Sequence, residues 1–114
     1  MAASTTSLLT LSFTSISALA QYQPVQATGS AAVAAGNAVG FIDTSVPGAG
    51  QRFAATAVGT ALAVAGAEIV AGALIEVHST VTQVVTKSAG ISIGRALTAA
   101  AGVGDVVQVL IILN

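Results

Sequence analysis

The sequence predicts an all-β fold, a small Gly/Ala-rich sandwich or barrel-like domain with an extended N-terminal arm and at most one short helix. Three observations carry that expectation. Several short stretches alternate polar and apolar residues with period two, as a strand with one covered face does. Glycine follows alanine at Gly36, Gly50, Gly66, Gly72, Gly90 and Gly102, half of the 12 glycines, mostly just ahead of an apolar segment. Glycine supplies the backbone freedom of tight turns, so the dipeptide reads as turn–strand punctuation. Finally, the alanine-rich run "GTALAVAGAEIVAGAL" shows no clean 3.6-residue period and carries Gly and Val, which favours strands over helix.

The first element is "LLTLSFTSISALAQ", Leu8 to Gln21. It ends in Ala18-Leu19-Ala20, a small-x-small pattern of the kind a signal peptidase reads. A secretory signal also needs a positive start and an unbroken apolar run. No Lys or Arg precedes Arg52, and Thr10, Ser12 and Thr14 alternate with Leu9, Leu11 and Phe13. The expectation is a retained arm over residues 1–20, docked as a strand on a neighbouring subunit or another protein rather than folded back. Residues 21–114 form a single β domain. Cleavage after Ala20, giving an exported β-domain such as a surface-layer or adhesin-like module, is the alternative.

Between residues 21 and 66 the segments "NAVGFID" and "QRFAATAVG" flank the turn "SVPGAG". Four strands are expected beyond residue 66. "GALIEVHS" alternates Ile75 and Val77 against Glu76 and His78, "TVTQVVTK" is Thr/Val-rich, and "GISIGRAL" alternates Ile91 and Ile93 against Ser92. "GDVVQVLIIL" is apolar on both faces, which places Val107, Val109 and Ile111 in the core or a subunit contact. The Ala-Gly spacing is irregular, and no solenoid repeat is read from it.

Composition narrows the function. Charged residues are 6% of the chain, against a usual ~25%. A lone soluble subunit needs more surface charge than that, so the composition predicts a homo-oligomer with much of its surface against protein. The net charge of −1 and the scattered cations argue against nucleic-acid binding. No stretch has the ~20 continuous apolar residues of a membrane helix. The absence of cysteine rules out disulfides, thiolate catalysis and cysteine-ligated zinc.

Chemistry-bearing residues are few. His78 and Glu76 would share a strand face, but no third group clusters with them, and an exposed or interface pair is the expected outcome. Gly90-x-x-x-Gly94 and Gly102-x-Gly104 lack the remainder of a phosphate loop or dinucleotide fingerprint. Ser and Thr have no base to activate them. The expectation is no enzyme, no cofactor, no metal and no small-molecule substrate. Arg95 would share a face with Ile91, Ile93 and Leu97. Either a bulge at Gly94 turns it outward, or it pairs with a carboxylate across an interface.

Residues 60–114 resemble the small capsid decoration, or cement, proteins of tailed bacteriophages. The resemblance lies in Ala65, Gly66, Ile69, Gly72, Ala73 and Ile75, then Gly94, Ala96, Leu97, Ala99, Ala100, Gly104, Asp105, Val107, Val109 and Ile111. It covers about half the chain well and residues 29–59 weakly, and the arm lies outside it. It implies a small β-rich protein, often a trimer, on the outer surface of a phage head, where it strengthens the shell against internal DNA pressure. The implied partners are the major capsid protein and copies of the chain itself, with the host cytoplasm as the place of assembly. Leu9, Leu11, Phe13, Arg95, Val107, Val109 and Ile111 are the expected contact residues.

Overall fold

The longest strand organises the molecule. In the computed structural model, which describes residues 6–112, strand β4 runs over Arg52–Val64. The others are β1 (Thr6–Thr14), β2 (Pro24–Val25), β3 (Gly40–Ile42), β5 (Leu74–Val77), β6 (Val84–Thr86), β7 (Gly94–Ala96) and β8 (Val106–Ile111). All pair antiparallel in one curled, half-barrel sheet ordered β2-β3-β4-β8-β7-β5-β6, with β1 paired to β4 off that path. No helix occurs among the described residues.

β4 is long because it serves two structural units. Its first half pairs with β1, from Thr14↔Arg52 to Leu9↔Val58. Its second half pairs with β8, from Thr60↔Leu110 to Val64↔Val106. The segments on either side then follow the same plan twice. The bridge Leu19↔Val46 is matched by Ile69↔Ala100, and Pro24↔Phe41 by Leu74↔Arg95. Ser15 N–H donates to Gln51 O as Ala65 N–H does to Asp105 O, and Tyr22 N–H to Ile42 O as Gly72 N–H does to Ala96 O. The left-handed positions coincide too, Tyr22 with Gly72 and Gly50 with Gly104. The chain is built as a tandem pair of one β unit, residues 6–59 and 60–112, a two-fold repeat that is not a solenoid and that the glycine spacing did not reveal.

The two cores are built from matching positions. Leu19, Val25, Ile42, Val46, Phe53 and Ala55 fill the first. Ile69, Ile75, Ala96, Ala100, Val107 and Val109 take the same places in the second. Each fully buried aliphatic side chain of this size contributes about 1.5–3 kcal/mol. Phe41 and Ala32 of the first unit belong to the second unit's cluster, so the units share an apolar seam.

Gly40 and its counterpart Gly94 are required by close approach of neighbouring strands. A Cβ at Gly40 would lie 2.4 Å from Thr56 O, and one at Gly94 would lie 2.4 Å from Val109 Cγ1 and 2.9 Å from Leu110 O. Gly40→Ala and Gly94→Ala are each expected to lower stability by about 1–3 kcal/mol, the usual cost of overpacking. The effect should be larger at Gly40, where backbone must move. Equilibrium denaturation measures this, and wild-type midpoints in both variants would contradict the packing described.

The expected arm is corrected in one respect. Thr6–Thr14 does not reach out to a neighbour but folds back along β4 of its own chain. The reason is that β4 presents an unpaired edge over residues 52–58, whose backbone groups need partners, and β1 is tethered beside it. Residues 1–5 of that arm lie outside the described residues. The alternation survives only in part. Leu11 and Phe13 are half-buried between exposed Thr10, Ser12 and Thr14, whereas Leu9 is 47% exposed. Register shifts on both sides of Leu9 break the pattern there. Phe13 sits opposite Phe53 with ring centroids 5.8 Å apart, a contact of ~0.5–1.5 kcal/mol beyond area burial.

Candidate interaction surface

Val107 and Val109 are completely buried in the second core, and Ile111 is partly buried against it. Their neighbours Val106 and Leu110 face the other way and are each 43% exposed. β8 is therefore a central strand, flanked by β4 and β7, with one apolar face filled and the other open. That explains why its sequence is apolar on both sides.

Arg95 occupies the open face. It pairs across from Leu74 and Leu110 with no register shift within Gly94–Ala96, and it faces outward. Gly94 and Ala96 point inward and are buried, and Arg95 between them is exposed. Its guanidinium Nη1 donates to Gly72 O at 2.6 Å. Strict alternation breaks just before β7, where Ile93 and Gly94 are buried in succession, and Arg95 is thereby turned outward.

Glu76 and His78 each serve local structure. The buried Glu76 carboxylate accepts hydrogen bonds from the backbone N–H groups of Ser88 and Gly90, fixing the loop tip at 88–90. His78 Nδ1 accepts from Thr80 N–H at 3.0 Å. Among the described residues no group of three His, Asp or Glu side chains is placed to hold a metal ion. No helix there is long and apolar enough to cross a membrane.

Two surface features were not anticipated. The loop tip of the first unit crosses to the second, where Ala35 N–H donates to Val77 O at 2.9 Å and Ala35 O accepts from Ile91 N–H at 3.0 Å. A cleft of about 290 Å³ also opens on the first unit, lined by Gln26, Ala27, Val33, Asn37, Ala38 and Val39. The signal for both lies in the duplication. Gly-x-x-x-Thr-x-x-x-Gly-x-Gly occurs at Gly40–Gly50 and again at Gly94–Gly104.

A fold likeness accompanies this geometry. The chain is similar to the N base of the head fiber protein gp8.5 of bacteriophage phi29, with a TM-score of 0.74 at 17% identity over 91% of this chain and 95% of that one. The likeness is one of fold. No family model matches the sequence, and no curated protein sequence matches it.

Proposed function

We propose that this chain is a structural protein of a phage head, and that it decorates the outer capsid surface as a homo-oligomer, a trimer by the sequence resemblance. The observation that carries the reading is the fold shared with a phage head fiber base along nearly the whole of both chains. The low charge supports it, as does the open apolar strip of Val106 and Leu110 beside Arg95. Apolar residues with an interspersed arginine are the composition of a binding surface. The partners are the major capsid protein and further copies of the chain, met in the host cytoplasm during assembly. Its role is non-enzymatic. Added contact area across capsomer boundaries holds the shell against internal pressure.

The test is decoration. Heads lacking the protein, mixed with the purified chain, should bind it and then release DNA at a higher temperature than undecorated heads. Binding without any gain in heat resistance would leave a head protein that is no cement. Absence of binding would remove the head reading altogether. The exported alternative makes a different demand. Cleavage after Ala20 would remove β1 and uncover β4, so the intact mass of the protein from its native source should include residues 1–20.

A further inference from the structure

The duplication gives each unit one surface that gives and one that receives, and among the described residues the giving surface of the first unit meets the receiving surface of the second. The first unit gives. Its loop tip Ala35 seats between Val77 and Ile91 of the second unit, against Gly90, and Phe41 is buried in the second unit's apolar cluster. The giving surface of the second unit consists of the counterparts of these residues. Counted back from Gly94 and Gly40, Ala89 in Ser88-Ala89-Gly90 corresponds in sequence to Ala35 in Ala34-Ala35-Gly36, and Arg95 stands where Phe41 stands. Both are exposed. The receiving surface of the first unit is the cleft. Its residues Gln26, Asn37 and Val39 take the places of Glu76, Ile91 and Ile93, and Ala27 follows Gln26 as Val77 follows Glu76. The cleft is thus the first unit's version of the pocket that Ala35 fills in the second.

We propose that the cleft receives the Ala89 loop tip of a second copy of this chain, repeating between copies the contact already made between units. Such an interface is heterologous, with different surfaces meeting, so it builds a closed ring or a head-to-tail row and not a two-fold dimer. It goes beyond the head reading and holds whether or not the chain sits on a virion. Two features make the contact between copies weaker than the one within the chain. Arg95 replaces Phe41, so a charged side chain meets the seam where an aromatic ring is buried. Val33 lies over Gly36, its Cγ2 2.3 Å from where a Cβ would stand, and must rotate aside for the loop tip to enter.

The chain contains no cysteine, so the contact can be tested with one engineered thiol per molecule. Asn37→Cys and Ala89→Cys are made separately, mixed and oxidised. Residues whose backbones bond directly, as Ala35 and Ile91 do within the chain, fall within disulfide reach, and a cross-linked dimer holding one molecule of each variant is expected, well above any dimer formed by either variant alone. No mixed dimer, or an Ala89→Cys dimer formed equally well by that variant alone, overturns the proposal. As a second reading, Ala89→Arg should weaken self-association in sedimentation at least about tenfold, with the unfolding midpoint unchanged because the side chain is exposed. An unaltered sedimentation profile in Ala89→Arg, or a wild-type chain that stays monomeric under the cross-linking conditions, also overturns it.

Discussion

Val109→Asp is expected to abolish cooperative folding. Val109 is fully buried, lies in the second core and faces Ala61 and Ala96 on its two neighbouring strands. No cation belongs to that cluster, so the new carboxylate would be buried unpaired. That costs several kcal/mol, beside the loss of the valine contacts. The stability of a domain this size is ~5–15 kcal/mol, so the cost takes most or all of it. Val106→Asp, three residues earlier on the exposed face, is the matched control and should fold. Solubility and the presence of an unfolding transition decide the matter. A soluble, cooperatively folding Val109→Asp variant would show that β8 does not face the core as described.

A chain beginning at Gln21 is expected to lose its fold, the second large effect. The sequence alone suggested a detachable arm whose removal would spare the body. The pairing of β1 with β4 reverses that expectation. Truncation removes a strand paired over most of β4's first half, uncovers Phe53, and deletes Ser15 and Leu19. Ser15 Oγ donates to Gly48 O at 2.7 Å and accepts from Gln51 N–H at 3.1 Å, and Leu19 belongs to the first core. A long unpaired edge beside exposed apolar side chains is also a template for aggregation. Circular dichroism and light scattering of the truncated chain test this. A monodisperse truncated protein that melts like the full chain would restore the detachable arm.

What the sequence showed and what it hid have physical reasons. The four strands beyond residue 66 were legible because Ile75, Val77, Val107 and Val109 keep period two through short, well-punctuated segments. The burial of Val107 and Val109 followed from the same pattern. The destination of β1 was not legible, since alternation reveals that a face is covered and not by which chain. The surroundings of Arg95 stayed open between two alternatives because alternation breaks between Ile93 and Gly94, just before a strand of only three residues. The duplication was hidden by its own chemistry. Conserved roles are carried by different residues, Phe53 against Val107 and Tyr22 against Gly72, while the loop between β2 and β3 is shorter than that between β5 and β7. Apart from Ala35-Gly36 against Ala89-Gly90, it is the Gly-x-x-x-Thr-x-x-x-Gly-x-Gly pattern that survives at matching places. The interaction surface became visible only through that symmetry, because it consists of the positions where one unit is covered and its twin is not.

The most direct test of the central proposal, that this chain is a structural protein of a phage head, is cryo-electron microscopy of phage particles purified from the source of this sequence. The account predicts density on the outer surface of the head that fits the two-unit β fold, with adjacent copies meeting at the Ala89 loop and the Gln26–Val39 cleft. Particles whose heads carry no such density, and whose protein content lacks this chain, would contradict it.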